Sequence, residues 1–141
     1  MADRPTIFLS NWSSYRAPGC HGPGRKLTIM ARPRPWEHGV GKVPACTPTT
    51  EALDSVKDGR LPVADYRAGV EAGIRGAPHA PGGLTAIIGG KAEPVADGDT
   101  LCCGCSRERA AAGLCHRAWV APILAAAGWR VVLDGKEVPV G

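Results

Sequence analysis

Thr100-Leu-Cys-Cys-Gly-Cys105, then His116-Arg-Ala-Trp-Val-Ala-Pro-Ile-Leu-Ala-Ala-Ala127, Gly128, and Trp129-Arg-Val-Val-Leu133 are the stretch that decides the fold. The first run is short and apolar, as a buried strand requires. The second predicts a helix from His116 to Ala127, with Gly128 as its stop. The third is a β-branched strand that Asp134-Gly135 closes as a turn. Strand, helix, strand predicts a parallel pairing joined by a right-handed crossover. An α/β protein is expected, with a mostly parallel sheet flanked by helices.

Working outward, Pro122 lies about two turns into that helix, where it deletes a backbone hydrogen bond, so a kink or an irregular first turn is expected. Near the start of the chain, Thr6-Ile-Phe-Leu-Ser10 and Lys26-Leu-Thr-Ile-Met30 read as strands, and the prolines of Arg32-Pro-Arg-Pro-Trp36 stop the second. Pro48-Thr49-Thr50 ahead of Glu51–Lys57 reads as a short helix capped by a threonine oxygen. Val63, Tyr66, Val70 and Ile74 fall at helical spacing and predict one apolar stripe. Leu84-Thr-Ala-Ile-Ile88 is short enough to be helix or strand, and residues 76–99 stay unassigned. Gly/Pro-rich loops are expected at about 13–25, 31–48 and 76–83.

At 141 residues the chain has room for one core, so residues 1–141 are expected to form a single domain. The composition, 44% hydrophobic and 21% charged, excludes a disordered chain. No apolar run approaches a membrane span and the N-terminal stretch lacks a signal-peptide core, so a cytoplasmic protein with no membrane partner is expected. A reducing compartment keeps its six cysteines as thiols. The net charge of +4 is concentrated in Arg16, Arg25, Lys26, Arg32, Arg34 and Lys42, set against the single acid Glu37. Such a segment attracts phosphate groups or a nucleic-acid backbone, or else forms a solvated surface loop.

In an open parallel sheet, ligands gather outside the carboxyl ends of the strands. Ser10-Asn11-Trp12 leaves the first strand, and Cys103-Gly-Cys105 leaves the strand that leads to Cys115-His116-Arg117. If those strands are neighbours, their ends form one cleft. Period-two alternation puts Cys103 and Cys105 on one face and Cys102 on the other. With Cys115 and His116 they make a candidate zinc set, although buried strand cysteines more often serve as small hydrophobes. A helix N-terminus beside His116 and Arg117 favours a thiolate, which makes Cys115 with His116 the candidate catalytic pair. The same helix start is a candidate anion site holding Arg117, Ser10, Asn11, Trp12 and Arg32. A simpler role for Arg117 is a salt bridge, for instance to Glu108, and for His116 a helix cap. Trp12 and Trp36, both in loops, are candidate stacking residues. Cys20-His21 and Cys46 are too isolated to assign.

Leu9-Ser10-Asn11-Trp12, Ile29-Met-Ala-Arg32 through Pro35-Trp36, Pro44 to Pro48, the Tyr66 helix, and Cys103-Gly-Cys105 followed by Cys115-His116-Arg117 resemble the family called domain of unknown function 488. The sister family, domain of unknown function 4326, is similar. The resemblance implies a compact α/β fold of a bacterial or phage intracellular protein, with the cysteine motif at a strand end and no settled activity. Two functional expectations follow from the residues. One is a protein that binds or processes a nucleotide or another phosphorylated small molecule at the Cys-His-Arg helix start. The other is a zinc-stabilised, non-enzymatic module contacting nucleic acid or protein through its basic loop. A thiol-dependent enzyme using Cys115 is a third.

Overall fold

The structure, a computed structural model, describes residues 4–12, 15–31, 40–104 and 115–140. Its strands are β1 (Thr6–Asn11), β2 (Lys26–Thr28), β3 (Gly41–Lys42), β4 (Thr85–Ile88), β5 (Lys91–Pro94), β6 (Thr100–Cys103), β7 (Arg130–Leu133) and β8 (Lys136–Val138). Among the described residues they form one sheet in the order β5-β4-β3-β2-β6-β1-β7-β8. The middle of the sheet, β3 through β7, pairs in parallel, and antiparallel pairings add β4, β5 and β8 at the edges. Helices α1 (Thr50–Lys57), α2 (Val63–Arg75) and α3 (His116–Ala126) complete an α/β fold. No helix among the described residues is long and apolar enough to cross a membrane.

Period two sorts the strand residues between two differently covered faces. Ile7, Leu9, Leu27, Ile29, Leu101, Cys103 and Val131 join one core with Tyr66, Val70 and Ile74 of α2 and with Trp119, Val120 and Leu124 of α3. Tyr66 and Trp119 meet edge to face, with ring centroids 5.6 Å apart. The opposite face, carrying Phe8, Thr100 and Cys102, is covered by the segment 15–25, which contains no helix. Gly22 lets that segment close on the sheet. Its N–H donates to Thr100 Oγ1 at 2.9 Å, and a Cβ there would fall 2.5 Å from the Phe8 ring. With both faces covered, all four residues of β6 are buried.

The structure alters several expectations. The strands on either side of α3 do not pair directly, because β1 lies between them, parallel to both, with Phe8 opposite Thr100 on one side and Val132 on the other. The region 31–48 is not all loop, since it contains β3 and a 3-10 turn at Pro44–Cys46. A two-residue strand leaves no periodicity to read. Residues 85–94 are a hairpin, and β7 turns back into β8. Both hairpins turn on two residues of positive φ, Gly89-Gly90 at 58° and 81° and Asp134-Gly135 at 50° and 85°.

Thr49 caps α1, its hydroxyl accepting from Ala52 N–H at 3.1 Å. Tyr66, Val70 and Ile74 are buried as the stripe predicts, but Val63 at the helix start is exposed. The helix α3 continues through Pro122. Ala118 and Pro122 are both exposed, so the carbonyl that Pro122 leaves without its helical donor lies on the solvent side of the helix, where water satisfies it.

Asp99, just before β6, ties the covering segment to the sheet. Its carboxylate accepts from Arg25 Nη2 at 2.7 Å, from the Arg25 backbone N–H at 2.8 Å and from the Ala96 N–H at 2.8 Å. Burial alone would raise its pKa, but the Arg25 guanidinium and the two backbone donors outweigh burial and hold the carboxyl below its ordinary 3.8. A depressed folded-state pKa adds stability that is present above the unfolded value and is lost as pH falls through the folded one. Asp99→Asn is therefore expected to lose about 2 kcal/mol at neutral pH. In urea unfolding across a pH series, its deficit against wild type should shrink below the ordinary carboxylate value.

Candidate functional site

β1 and β6 are neighbours, with Ser10 opposite Cys102 and Asn11 opposite Cys103. The ladder runs one step further, with Trp12 N–H donating to Cys103 O at 3.1 Å. Beyond this point the two chains part. After β1 the chain turns onto the face covered by residues 15–25, and after β6 it re-enters the described residues at Cys115, the N-cap of α3, on the helical face. In open α/β sheets, adjacent parallel strands whose chains depart on opposite faces mark the place where ligands gather.

On the helical face of the sheet the thiols of Cys103 and Cys115 are 3.3 Å apart. Arg117 Nη1 donates to both, at 2.9 Å to Cys103 Sγ and 2.7 Å to Cys115 Sγ. The other edge of the guanidinium grips Asp134, through Nε to Oδ1 at 3.1 Å and Nη2 to Oδ2 at 3.0 Å. Asp134 is itself fixed at the carboxyl end of β1, its N–H donating to Leu9 O at 2.9 Å. Arg117 is only 5% exposed. Burial works against its charge, but the Asp134 carboxylate and the two sulfurs outweigh it and raise the pKa above the ordinary arginine value. The guanidinium thus sits as a fixed cation between one carboxylate and two sulfurs.

On the other side, Lys26 Nζ lies 3.8 Å from the centre of the Trp12 ring and 4.2 Å from that of Tyr15. His21 stacks on Tyr15, with ring centroids 4.8 Å apart. Burial, and then the nearby Cys102, push the Tyr15 phenol upward. The indole Nε1 of Trp12 is buried with no hydrogen-bond partner among the described residues.

The sequence candidates therefore divide. Cys103, Cys115 and Arg117 come together, joined by Asp134. Asn11 shares the helical face with Leu9 and Cys103, whereas alternation turns Ser10 and Cys102 to the opposite face. His116 is the first residue of α3, not its cap, and its Nε2 donates to Ile29 O at 2.8 Å. That bond anchors α3 to the end of β2. Arg32, Cys105, Trp36 and Glu108 lie outside the described residues. Among the described residues no group of three or more His, Cys, Asp or Glu side chains gathers as metal ligands would.

The basic segment is partly neutralised, since Arg25 pairs with Asp99 and Glu93 while Lys26 is held by rings. Cys46 is a core thiol that burial pushes up to about 12. The residue that sequence reasoning missed is Asp134, because Asp-Gly signals a hairpin turn and says nothing of a buried cation beneath it.

Removing the Asp134 carboxylate leaves the buried guanidinium, among the described residues, with sulfur partners alone. Asp134→Ala is expected to lose about 2 kcal/mol. Arg130→Ala, which breaks an ion pair with Glu137 exposed on both sides, should lose less than about 0.5 kcal/mol. Chemical denaturation of the two variants side by side checks the contrast.

No protein-family model matches the chain, and no curated protein or solved structure matches it.

Proposed function

We propose that the chain binds a nucleotide or another phosphorylated small molecule in the crevice at the carboxyl ends of β1 and β6. The observation that carries this reading is the departure of two adjacent parallel strands onto opposite faces of the sheet, the place where open α/β sheets hold ligands. Three features support it. Among the described residues the buried N–H of Trp12 has no acceptor, and an oxygen-rich ligand would satisfy it. Of the five N–H groups of Arg117, those on Nε and Nη1 and one on Nη2 are used by Asp134 and the sulfurs; among the described residues nothing takes the remaining one on Nη2, which a ligand oxygen would accept. The first-turn amides of α3 add their partial positive charge.

Arg117 thus acts less as a free phosphate clamp than as a fixed positive wall, with Asn11 on the same face of β1.

A thermal-shift panel of nucleoside phosphates, sugar phosphates and inorganic phosphate tests the proposal. A cognate ligand at one hundred times its Kd should stabilise the fold by about 2.7 kcal/mol, and Asn11→Ala should reduce that shift. No shift from any phosphorylated compound would overturn the reading.

A further inference from the structure

We propose that Cys103 and Cys115 are a redox pair, in which a hydroperoxide oxidises Cys115 and Cys103 then closes an intramolecular disulfide with it. The inference stands apart from the ligand reading, since it concerns only the two sulfurs and what holds them.

Three observations carry it. The two sulfurs, delivered by different elements at the end of β6 and the N-cap of α3, are already 3.3 Å apart, so about 1.2 Å of further approach reaches a disulfide bond length. Arg117 Nη1 reaches both, which fixes them side by side and stabilises a thiolate between them. Asp134 in turn fixes the guanidinium, so the pair is held by a charged clamp rather than by apolar packing alone. Neither Cys46, enclosed in the core, nor Cys102, on the opposite face, shares this arrangement.

Of the pair, Cys115 is 3% exposed and Cys103 is fully buried. Cys115 is therefore the sulfur that meets a small oxidant. Its thiolate attacks one peroxide oxygen; the O–O bond breaks, an S–O bond forms, and the second oxygen leaves as hydroxide or alkoxide. The Cys103 sulfur then attacks the Cys115 sulfur. The S–O bond breaks as the S–S bond forms, and the hydroxide departs as water with the Cys103 proton. Two electrons pass from the sulfur pair to the peroxide. The disulfide carries no charge, so Arg117 then faces Asp134 as its one remaining anion among the described residues.

The test uses the full chain, treated with a chelator, exposed to hydrogen peroxide under native conditions, quenched with an alkylating reagent and mapped by peptide mass spectrometry. The expected result is one cross-link joining the Cys103 and Cys115 peptides, reversed by dithiothreitol and formed roughly tenfold faster than in the urea-unfolded chain. In Cys103→Ser, Cys115 should stop at the sulfenic acid, trapped by dimedone. A disulfide joining either residue to a different cysteine, a rate no faster than in the unfolded chain, or two thiols that stay fully alkylatable would each overturn the proposal. The wild-type map decides these outcomes even if the variant fails to fold.

Discussion

Asp99 stands where β6 begins, and its carboxylate gathers chain from three directions. It accepts from the side chain and the backbone of Arg25, which leads into β2, and from Ala96, which follows the β4–β5 hairpin. Arg25 extends the tie by donating to Pro94 O at 2.7 Å. Without this knot the segment 15–25 would have little reason to lie on the sheet, because its Gly- and Pro-rich residues supply few apolar side chains. Among the described residues that segment shields one face of β1 and β6, strands too apolar to face water. A charge-assisted contact at the amino ends of the strands therefore supports the buried geometry at their carboxyl ends.

The two ends of the central strands divide the labour. The amino end is closed by a salt bridge and backbone donors. The carboxyl end holds the chemically active groups, with a cation on each side: Arg117 against sulfur and carboxylate, Lys26 against aromatic rings. Asp134 compensates the charge of Arg117, whereas Lys26 keeps its charge against the ring faces. The guanidinium of Arg117 spans Asp134 at one edge and the two sulfurs of Cys103 and Cys115 at the other, so it joins the β7–β8 turn to the ends of β6 and α3.

How much of this could be read from residues alone follows from the length of each signal. β1, α2 and α3 are long or strongly patterned, and their places, the Thr49 cap and the convergence of Asn11 with Cys103 were legible. β3 and β8, of two and three residues, are too short for a period to emerge. The Ala86-Ile-Ile-Gly-Gly-Lys-Ala sequence did carry a hairpin signal in its glycine pair, masked by two outward faces that show no apolar alternation. The insertion of β1 between β6 and β7 is a long-range choice that no local pattern encodes. At the site, alternation correctly separated Cys102 from Cys103, yet Ser10 and Asn11, read together as neighbours, had to part for the same reason. Arg117 was legible as a charge but not as a buried one, because its partner Asp134 lies across a crossover.

The sheet ends in β5 on one side and β8 on the other. Both are short, and their sequences, Lys91-Ala-Glu-Pro94 and Lys136-Glu-Val138, alternate charge and include a proline that cannot donate. The antiparallel hairpins thus act as end plates. An unprotected parallel sheet would offer its outermost strand to any extended peptide and could grow copy upon copy into a fibre. Here each rim presents lysine and glutamate, so adding a strand would mean stripping water from charges for few new hydrogen bonds. The polypeptide carries its own defence against stacking, built from the parts of its sequence that contribute least to the core.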